Sequence, residues 1–170
     1  MYFLQKAQRR CCLGCSTLGD LILAIDLSED GPKVIALVGA KASVIKTRVF
    51  GNLCSGLEHY REVPSRMKVR YLRFFERRYL RLKDFLSIAR VLLYIDKVND
   101  VVRSLDLGLA VIDDKLFNSV DVEQKIRESD PKPRHIDNLF TIADNLANYF
   151  RILLKKEPRR LLEELRKFEK

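Results

Sequence analysis

The chain lacks any apolar run long enough to cross a membrane, and it lacks internal repeats and low-complexity linkers. No stretch approaches the 18 or so apolar residues of a membrane-spanning helix. The opening MYFLQKAQRR places a short apolar part before its charges, which is not the layout of a secretory signal. We therefore expect a cytoplasmic protein with no membrane-embedded part, built as one domain.

Cysteine and histidine are too few for a standard zinc site. Cys12 and Cys15 form a C-x-x-C pair, and Cys11 and Cys54 are the other two cysteines. A structural zinc site normally takes a second pair at similar spacing, and both histidines lie far from this one. A site of three cysteines and one further ligand stays open, but a reduced N-terminal extension over residues 1–18 is the simpler interpretation.

What the chain has in excess is positive charge. Its 170 residues include 32 Lys and Arg against 23 Asp and Glu, for a net charge of +9. A basic domain of this size indicates a polyanionic partner. We expect nucleic acid, either DNA or RNA, ahead of an anionic membrane surface, with solubility alone as the alternative explanation.

The apolar pattern predicts the element order β-β-β-α-β-α-β-α. Three consecutive strands followed by alternating helices and strands indicate an α/β fold, with a mixed five-stranded sheet and helices on its faces. A doubly wound parallel sheet would place a helix directly after the first strand. The predicted strands are 21–28, 33–39, 44–50, 90–96 and 109–113, and the predicted helices are 65–87, 98–108 and 134–155.

The predicted domain is flanked by two short segments. Residues 1–18 are expected to form an N-terminal extension and residues 19–156 the domain itself. Pro158 ends the last long helix, and the predicted tail at 157–170 is a short amphipathic helix.

The helix predicted at 65–87 has an apolar face and an arginine face. On a helical wheel its apolar residues fall within about 80° of one another, and a row of arginines falls on the opposite side. The arginines are candidates for binding nucleic-acid phosphates, although a charged outward face is also ordinary in a soluble helix. The row consists of Arg66, Arg70, Arg73, Arg77 and Arg81.

Three apolar runs end on the dipeptide Ile-Asp. They finish at Asp26, Asp96 and Asp113, and Asp114 follows the last of them. An aspartate at the edge of an apolar strand needs compensation. It can cap a helix or turn, it can pair with a basic residue, or several such carboxylates can converge on a divalent cation that prefers oxygen ligands.

The last long helix contributes a further acid. Asp144 lies in the sequence FTIADNLANYF, next to the apolar stripe that is expected to face the core. A partly buried aspartate in mid-helix requires a partner. The carboxylates at the strand ends are the candidates for what it faces.

These residues and their order resemble the ribonuclease-H-like superfamily of nucleases. In that superfamily a first-strand Asp, an Asp at the end of the fourth strand and an acid on the final helix bind two Mg²⁺ or Mn²⁺ ions. The ends of the chain resemble more narrowly a prokaryotic branch that opens with a strand finishing in D-E-S-G and closes with a helix reading L-A-D-x-x-A. Here the corresponding stretches are IDLSEDG and FTIADNLANY.

The resemblance implies a site and a cofactor. Asp26 would be the first-strand ligand, Asp96 the central ligand and Asp144 the helix ligand, with Asp113 or Asp114 as a further ligand or close neighbour. The cofactor would be Mg²⁺ or Mn²⁺. The chain departs from the pattern in having Leu27 where the branch has Glu, and in offering no clear acid in the first helix.

The resulting hypothesis is a metal-dependent nuclease that hydrolyses phosphodiester bonds. The alternatives are an inactive nucleic-acid-binding module on the same fold, or a protein-interaction domain that forms a homo-oligomer through its amphipathic helices. A nuclease with a parallel sheet of the PIN type would require a helix directly after residue 30.

Overall fold

A computed structural model describes residues 19–170, so Cys11, Cys12, Cys15 and the predicted N-terminal extension lie outside the described residues. Single-turn 3-10 helices lie at Ser65–Met67, Lys83–Phe85 and Pro158–Arg160, and no helix in the described part has the length and apolar content needed to span a bilayer. The strands are β1 (Leu21–Ser28), β2 (Val34–Lys41), β3 (Ile88–Leu92), β4 (Leu107–Ile112) and β5 (Lys125–Arg127). The helices are α1 (Ala42–Ile45), α2 (Arg48–Cys54), α3 (Lys68–Leu82), α4 (Ile95–Arg103), α5 (Arg134–Lys156) and α6 (Leu161–Phe168).

The five strands form one mixed sheet in the order β3-β2-β1-β4-β5. β1 pairs antiparallel with β2, and β2 pairs antiparallel with β3. On the other side, β1 runs parallel to β4, and β4 runs parallel to β5. The predicted α/β class and mixed five-stranded sheet are confirmed, and the β1–β2 hairpin excludes a helix directly after residue 30.

The two faces of the sheet bury separate cores. On one face Ile22 and Ala24 of β1 pack with α1, α2, α3, α5 and α6. On the other face Leu23 and Ile25 pack with α4 and with the segment that follows β4. Because side chains alternate along a strand, Asp26 continues the Ile22–Ala24 series and faces the α5 side.

The predicted third strand at 44–50 is wrong, because α1 and α2 occupy this stretch. Thr47 caps α2: its Oγ1 accepts a hydrogen bond from the Phe50 backbone N–H at 3.2 Å. Phe50, Leu53 and Cys54 are buried at helical spacing. A threonine cap followed by this spacing therefore outweighs the short apolar alternation of VIKTRVF.

The predicted fourth strand at 90–96 is also wrong at its end. β3 stops at Leu92, and α4 begins at Ile95, so Asp96 lies in the first turn of a helix. A carboxylate is favourable there because it faces the positive end of the helix dipole. α4 buries Val98 and Val102, which are spaced one helical turn apart. The fifth strand of the sheet is β5, in a polar stretch where the sequence predicted no strand.

The long helix and the tail share one core. The predicted apolar stripe of α5 is confirmed, since all five of its members are buried: Leu139, Ile142, Leu146, Phe150 and Leu153. Phe168 of α6 is fully buried and stacks on Tyr79 and Tyr149, with ring centroids 4.9 Å and 4.8 Å apart. The backbone of Lys170 forms two hydrogen bonds with the backbone of Ala89 in β3, which is an edge strand of the sheet.

Candidate metal centre

Three neighbouring parallel strands each deliver a carboxylate to the α5 face of the sheet. Asp26 lies in β1, Asp113 directly follows β4, and Glu128 directly follows β5. The Asp113 N–H donates to the carbonyl of Ile25 at 2.9 Å, and the Glu128 N–H donates to the carbonyl of Ile112 at 2.8 Å. The ladder thus continues through these residues and sets the three acids at the same level of the sheet.

Strand alternation directs all three acids to one face. Val111 is buried in the α5-side core, as is Ala24, and Ile126 packs against it. Asp26, Asp113 and Glu128 each lie two residues beyond one of these apolar side chains, and therefore point the same way. One carboxylate oxygen from each acid lies within 4.8 Å of the other two.

Burial makes this cluster electrostatically costly. Asp26 is 5% exposed, and burial together with the charges of Asp144, Asp113 and Glu128 raises its pKa well above the usual value. Burial is also the main cause that raises the pKa of Asp113 and of Glu128. Carboxylates held this way favour a proton or a cation, and their oxygen donors suit a hard divalent ion.

Asp144 stands beside the cluster with both of its oxygens engaged. Its Oδ2 accepts from the Tyr60 backbone N–H at 2.7 Å and lies 3.3 Å from His59 Nδ1. Its Oδ1 accepts from the side-chain amide of Asn148 at 2.8 Å. The half-buried aspartate expected in mid-helix has therefore found partners, and its charge still reaches Asp26, where it is the largest cause of the raised pKa after burial.

His59 packs against α5 next to Asp144. Its Nε2 lies 3.3 Å from Thr141 Oγ1 and 3.9 Å from a carboxylate oxygen of Asp137. The hydrogen bond to Asp144 is the largest cause that raises the pKa of His59. The imidazole is thus held beside two acids of α5, Asp137 and Asp144, on the loop that connects α2 to α3.

The structure brings some of the residues proposed from the sequence together and leaves others apart. Asp26 and Asp113 meet, with Asp144 next to them. Asp96 is exposed on α4, which packs against the opposite face of the sheet, and it is not in the cluster. Asp114 is exposed, and its Oδ1 accepts a hydrogen bond from Ser129 Oγ at 3.1 Å.

The arginine row is exposed along its whole length, with Arg66 in the single-turn 3-10 helix Ser65–Met67 and the other four members in α3. Within residues 19–170, none of its members has a carboxylate oxygen within 4.0 Å. One of them, Arg73, lines a groove between α3 and α5 of about 270 Å³, together with apolar side chains and Lys156. The exposed members are Arg66, Arg70, Arg73, Arg77 and Arg81.

Three residues of the site were missed from the sequence: Glu128, Arg61 and His59, whose Nδ1 lies 3.3 Å from Asp144 Oδ2. Glu128 follows a strand of only three residues, which is too short to show an apolar period. Arg61 lies in a loop, and its Nη2 is 3.2 Å from Glu128 Oε1. The alternation of Ile126 with Glu128 matches that of Val111 with Asp113, and this is the signal that could have identified Glu128.

Comparison with known proteins identifies a fold. No protein-family model matches the chain, and no curated protein matches it. Among solved structures, the ribonuclease H2 from Pyrococcus horikoshii OT3 superposes with a TM-score of 0.50 at 16% identity, over 86% of this chain and 75% of that one. A mutant protein of Bst-RNase HIII gives a TM-score of 0.48 at 14% identity, over 82% of this chain and 56% of that one. The superposition on the ribonuclease H2, together with the mixed five-stranded sheet, shows that the chain has a ribonuclease-H-like fold.

Proposed function

We propose that this protein is a divalent-metal-dependent nuclease that hydrolyses phosphodiester bonds in nucleic acid. The single observation that carries the proposal is the convergence of Asp26, Asp113 and Glu128 from three adjacent parallel strands. The similar fold of a protein named as a ribonuclease supports the same reaction class.

The carboxylates are the groups that would hold Mg²⁺ or Mn²⁺. Asp26, Asp113 and Glu128 offer oxygen ligands from a rigid sheet, and Asp144 adds negative charge beside Asp26. Bound cations of this kind activate water and stabilise the leaving oxygen in phosphodiester hydrolysis. The sheet's part is to fix the three ligands before the cation arrives, so that binding requires little rearrangement.

Asp144 on α5 and His59 on the loop between α2 and α3 complete the proposed centre. The contacts of Asp144 to Tyr60, His59 and Asn148 fix its carboxylate in one orientation. We assign it the role of the helix acid predicted from the sequence. Asp96 and Asp114, which the sequence also suggested as ligands, are not part of this assignment because both are exposed and neither belongs to the three-acid cluster.

The exposed arginine row is the proposed contact for the nucleic-acid backbone. The guanidinium groups of this row are exposed, and among residues 19–170 none has a carboxylate oxygen within 4.0 Å, so they are available to phosphates. A net charge of +9 attracts a polyanion at long range. The same row supports the second candidate function, a nucleic-acid-binding module without catalysis, and the two differ only in whether the acid cluster binds metal and cleaves.

The test is Mn²⁺-dependent cleavage of labelled single- and double-stranded DNA, RNA and hybrid substrates. We expect activity that EDTA abolishes and that Asp26→Asn and Asp113→Asn each reduce at least about 100-fold, since each removes a ligand. Asp96→Asn provides the matched comparison, because Asp96 also follows an apolar run that ends in Ile, yet lies outside the cluster.

Three results would separate the candidates. Cleavage that is lost in Asp26→Asn and retained in Asp96→Asn supports the nuclease. Binding of the substrates without cleavage under any divalent cation supports the binding module. Cleavage that survives Asp26→Asn and Asp113→Asn unchanged rejects the assigned centre.

A further inference from the structure

The loop between α2 and α3, residues 55–64, is fastened to α5 through its backbone. The Tyr60 N–H donates to Asp144 Oδ2 at 2.7 Å, and the Glu58 carbonyl accepts from Asn145 Nδ2 at 2.9 Å. The Tyr71 hydroxyl donates to the same carbonyl at 2.7 Å and accepts from the Glu58 N–H at 2.9 Å. Hydrogen bonds on both sides of residue 59 hold this backbone in place.

Apolar anchors reinforce the loop on both sides of Arg61. Tyr60 is 6% exposed and Val63 is 4% exposed, so a buried side chain lies one residue before Arg61 and another lies two residues after it. Arg61 itself is the reverse, with 72% of its side chain exposed. A backbone held by these hydrogen bonds and buried side chains therefore presents an exposed guanidinium next to Glu128 of the acid cluster.

Arg61 pairs with the cluster through only part of its guanidinium. Its Nη2 lies 3.2 Å from Glu128 Oε1, and the carboxylate of Glu128 is itself mostly buried. A single-contact pair whose basic partner is largely open to water contributes little to folding stability. The remaining donors of the guanidinium fork face solvent, in a geometry that matches a phosphate group.

Resting on the proposed function, we infer that Arg61 exchanges partners. Without metal and nucleic acid it occupies Glu128 Oε1, and with both bound it grips a phosphate of the strand at the acid cluster. Two positive groups then compete for one carboxylate oxygen. Removing the guanidinium therefore strengthens metal binding and weakens substrate binding, a pair of opposite effects that a structural ion pair does not produce.

The experiment measures both effects in one set of variants. Mn²⁺ affinity of the full chain is obtained from the electron-paramagnetic-resonance signal of free Mn²⁺, without nucleic acid. The Mn²⁺-dependent cleavage reaction then gives kcat and KM. The variants are Arg61→Ala, Arg61→Lys and Arg103→Ala. Arg103 is the matched control, since its side chain is 64% exposed and contacts Asp121 at 3.5 Å, away from the cluster.

We expect Arg61→Ala to bind Mn²⁺ about two- to fivefold more tightly, as loss of a solvated competing pair implies. Its KM should rise about tenfold with kcat changed less than about threefold, because a charged phosphate contact is lost. Arg61→Lys keeps the charge without the fork, and should restore wild-type Mn²⁺ affinity but only part of the KM. Arg103→Ala should match the wild type in both.

The results that overturn the inference are distinct from those that overturn the proposed function. If the wild type binds Mn²⁺ and cleaves while Arg61→Ala behaves as Arg103→Ala does, the role of Arg61 is refuted and the nuclease stands. Weaker Mn²⁺ binding in Arg61→Ala also refutes it, because the side chain would then support the metal site. A wild-type chain that neither binds Mn²⁺ nor cleaves refutes both.

Discussion

Replacing Asp26 by asparagine should stabilise the metal-free protein. The folded chain keeps this carboxyl 5% exposed, with oxygens of Asp113 and Glu128 within 4.8 Å. Two full charges at that distance repel by about 3.5 kcal/mol at an effective dielectric constant of about 20. An amide of the same shape removes the charge, and most of this cost disappears from the folded state.

Proton uptake sets an upper limit on the gain. Asp26 can avoid its charge by holding a proton, and from its ordinary pKa of 3.8 to pH 7 this costs about 4.4 kcal/mol at about 1.4 kcal/mol per pH unit. Burying the new amide offsets part of the gain. We expect the free energy of unfolding to rise by about 1–3 kcal/mol at pH 7, which corresponds to about 3–9 °C in Tm.

The dependence on pH identifies the cause. Because the pKa of Asp26 is raised on folding, the folded state binds the proton more tightly than the unfolded chain does. The penalty is absent below pH 3.8 and grows as the pH rises. The difference between Asp26→Asn and the wild type should therefore shrink steadily from pH 7 to pH 4.

Urea unfolding with EDTA present, followed by far-UV circular dichroism, measures the effect. Asp96→Asn is the control, because an exposed aspartate should change the free energy of unfolding by no more than about 0.5 kcal/mol. An Asp26→Asn protein that is less stable than the wild type at pH 7, or a difference that does not vary with pH, would refute the electrostatic account of the cluster.

Three further changes test other parts of the molecule. Mn²⁺ at 100 times its dissociation constant should stabilise the wild type by about 2.7 kcal/mol in thermal unfolding, and Asp113→Asn should remove this gain; equal stabilisation of both would place the ion elsewhere. Arg70→Ala should weaken nucleic-acid binding and reduce the slope of log K against log salt by about 1, measured by fluorescence anisotropy. Arg166→Ala, which changes an exposed arginine on α6, should leave the slope unchanged. Equal slopes for the two variants would contradict phosphate binding by the arginine row. Phe168→Ala should cost about 3–5 kcal/mol in urea unfolding, since this ring is fully buried against Tyr79 and Tyr149; a cost below about 1 kcal/mol would show that the tail is dispensable to the core.

The parts of the fold that were predictable are those with long, regular patterns. The 23 residues of α5 cover more than six helical turns, and β1 alternates between two buried faces over eight residues. α3 was predictable for the same reason. These elements carry Asp26, Asp144 and the arginine row, which is why much of the candidate site could be named in advance.

Short elements defeated the same reasoning. Residues 44–50 fit an alternating strand as well as two brief helices, and only the cap at Thr47 and tertiary packing decide between them. The apolar runs ending at Asp96 and at Asp113 have similar sequences, and both end in Ile-Asp. The apolar residues before Ile95 do not indicate that the strand has ended and that α4 begins at Ile95. Glu128 and Arg61 come together only through the fold, from positions 67 residues apart.

The continuous ladder across β1, β4 and β5 makes the alignment of the three acids sensitive to a change in strand length more than to a change in side-chain composition. Exchanging one aliphatic side chain for another inside these strands does not change the face of the sheet to which each acid points. Deleting one residue of β4 before Asp113 would instead turn the Asp113 carboxylate toward the α4 face of the sheet. The apolar residues of β4 next to Val111 would also point to the face opposite their present one. Many substitutions can therefore accumulate in these strands while the three acids stay aligned. The loss of one codon within β4 would instead move Asp113 out of the cluster.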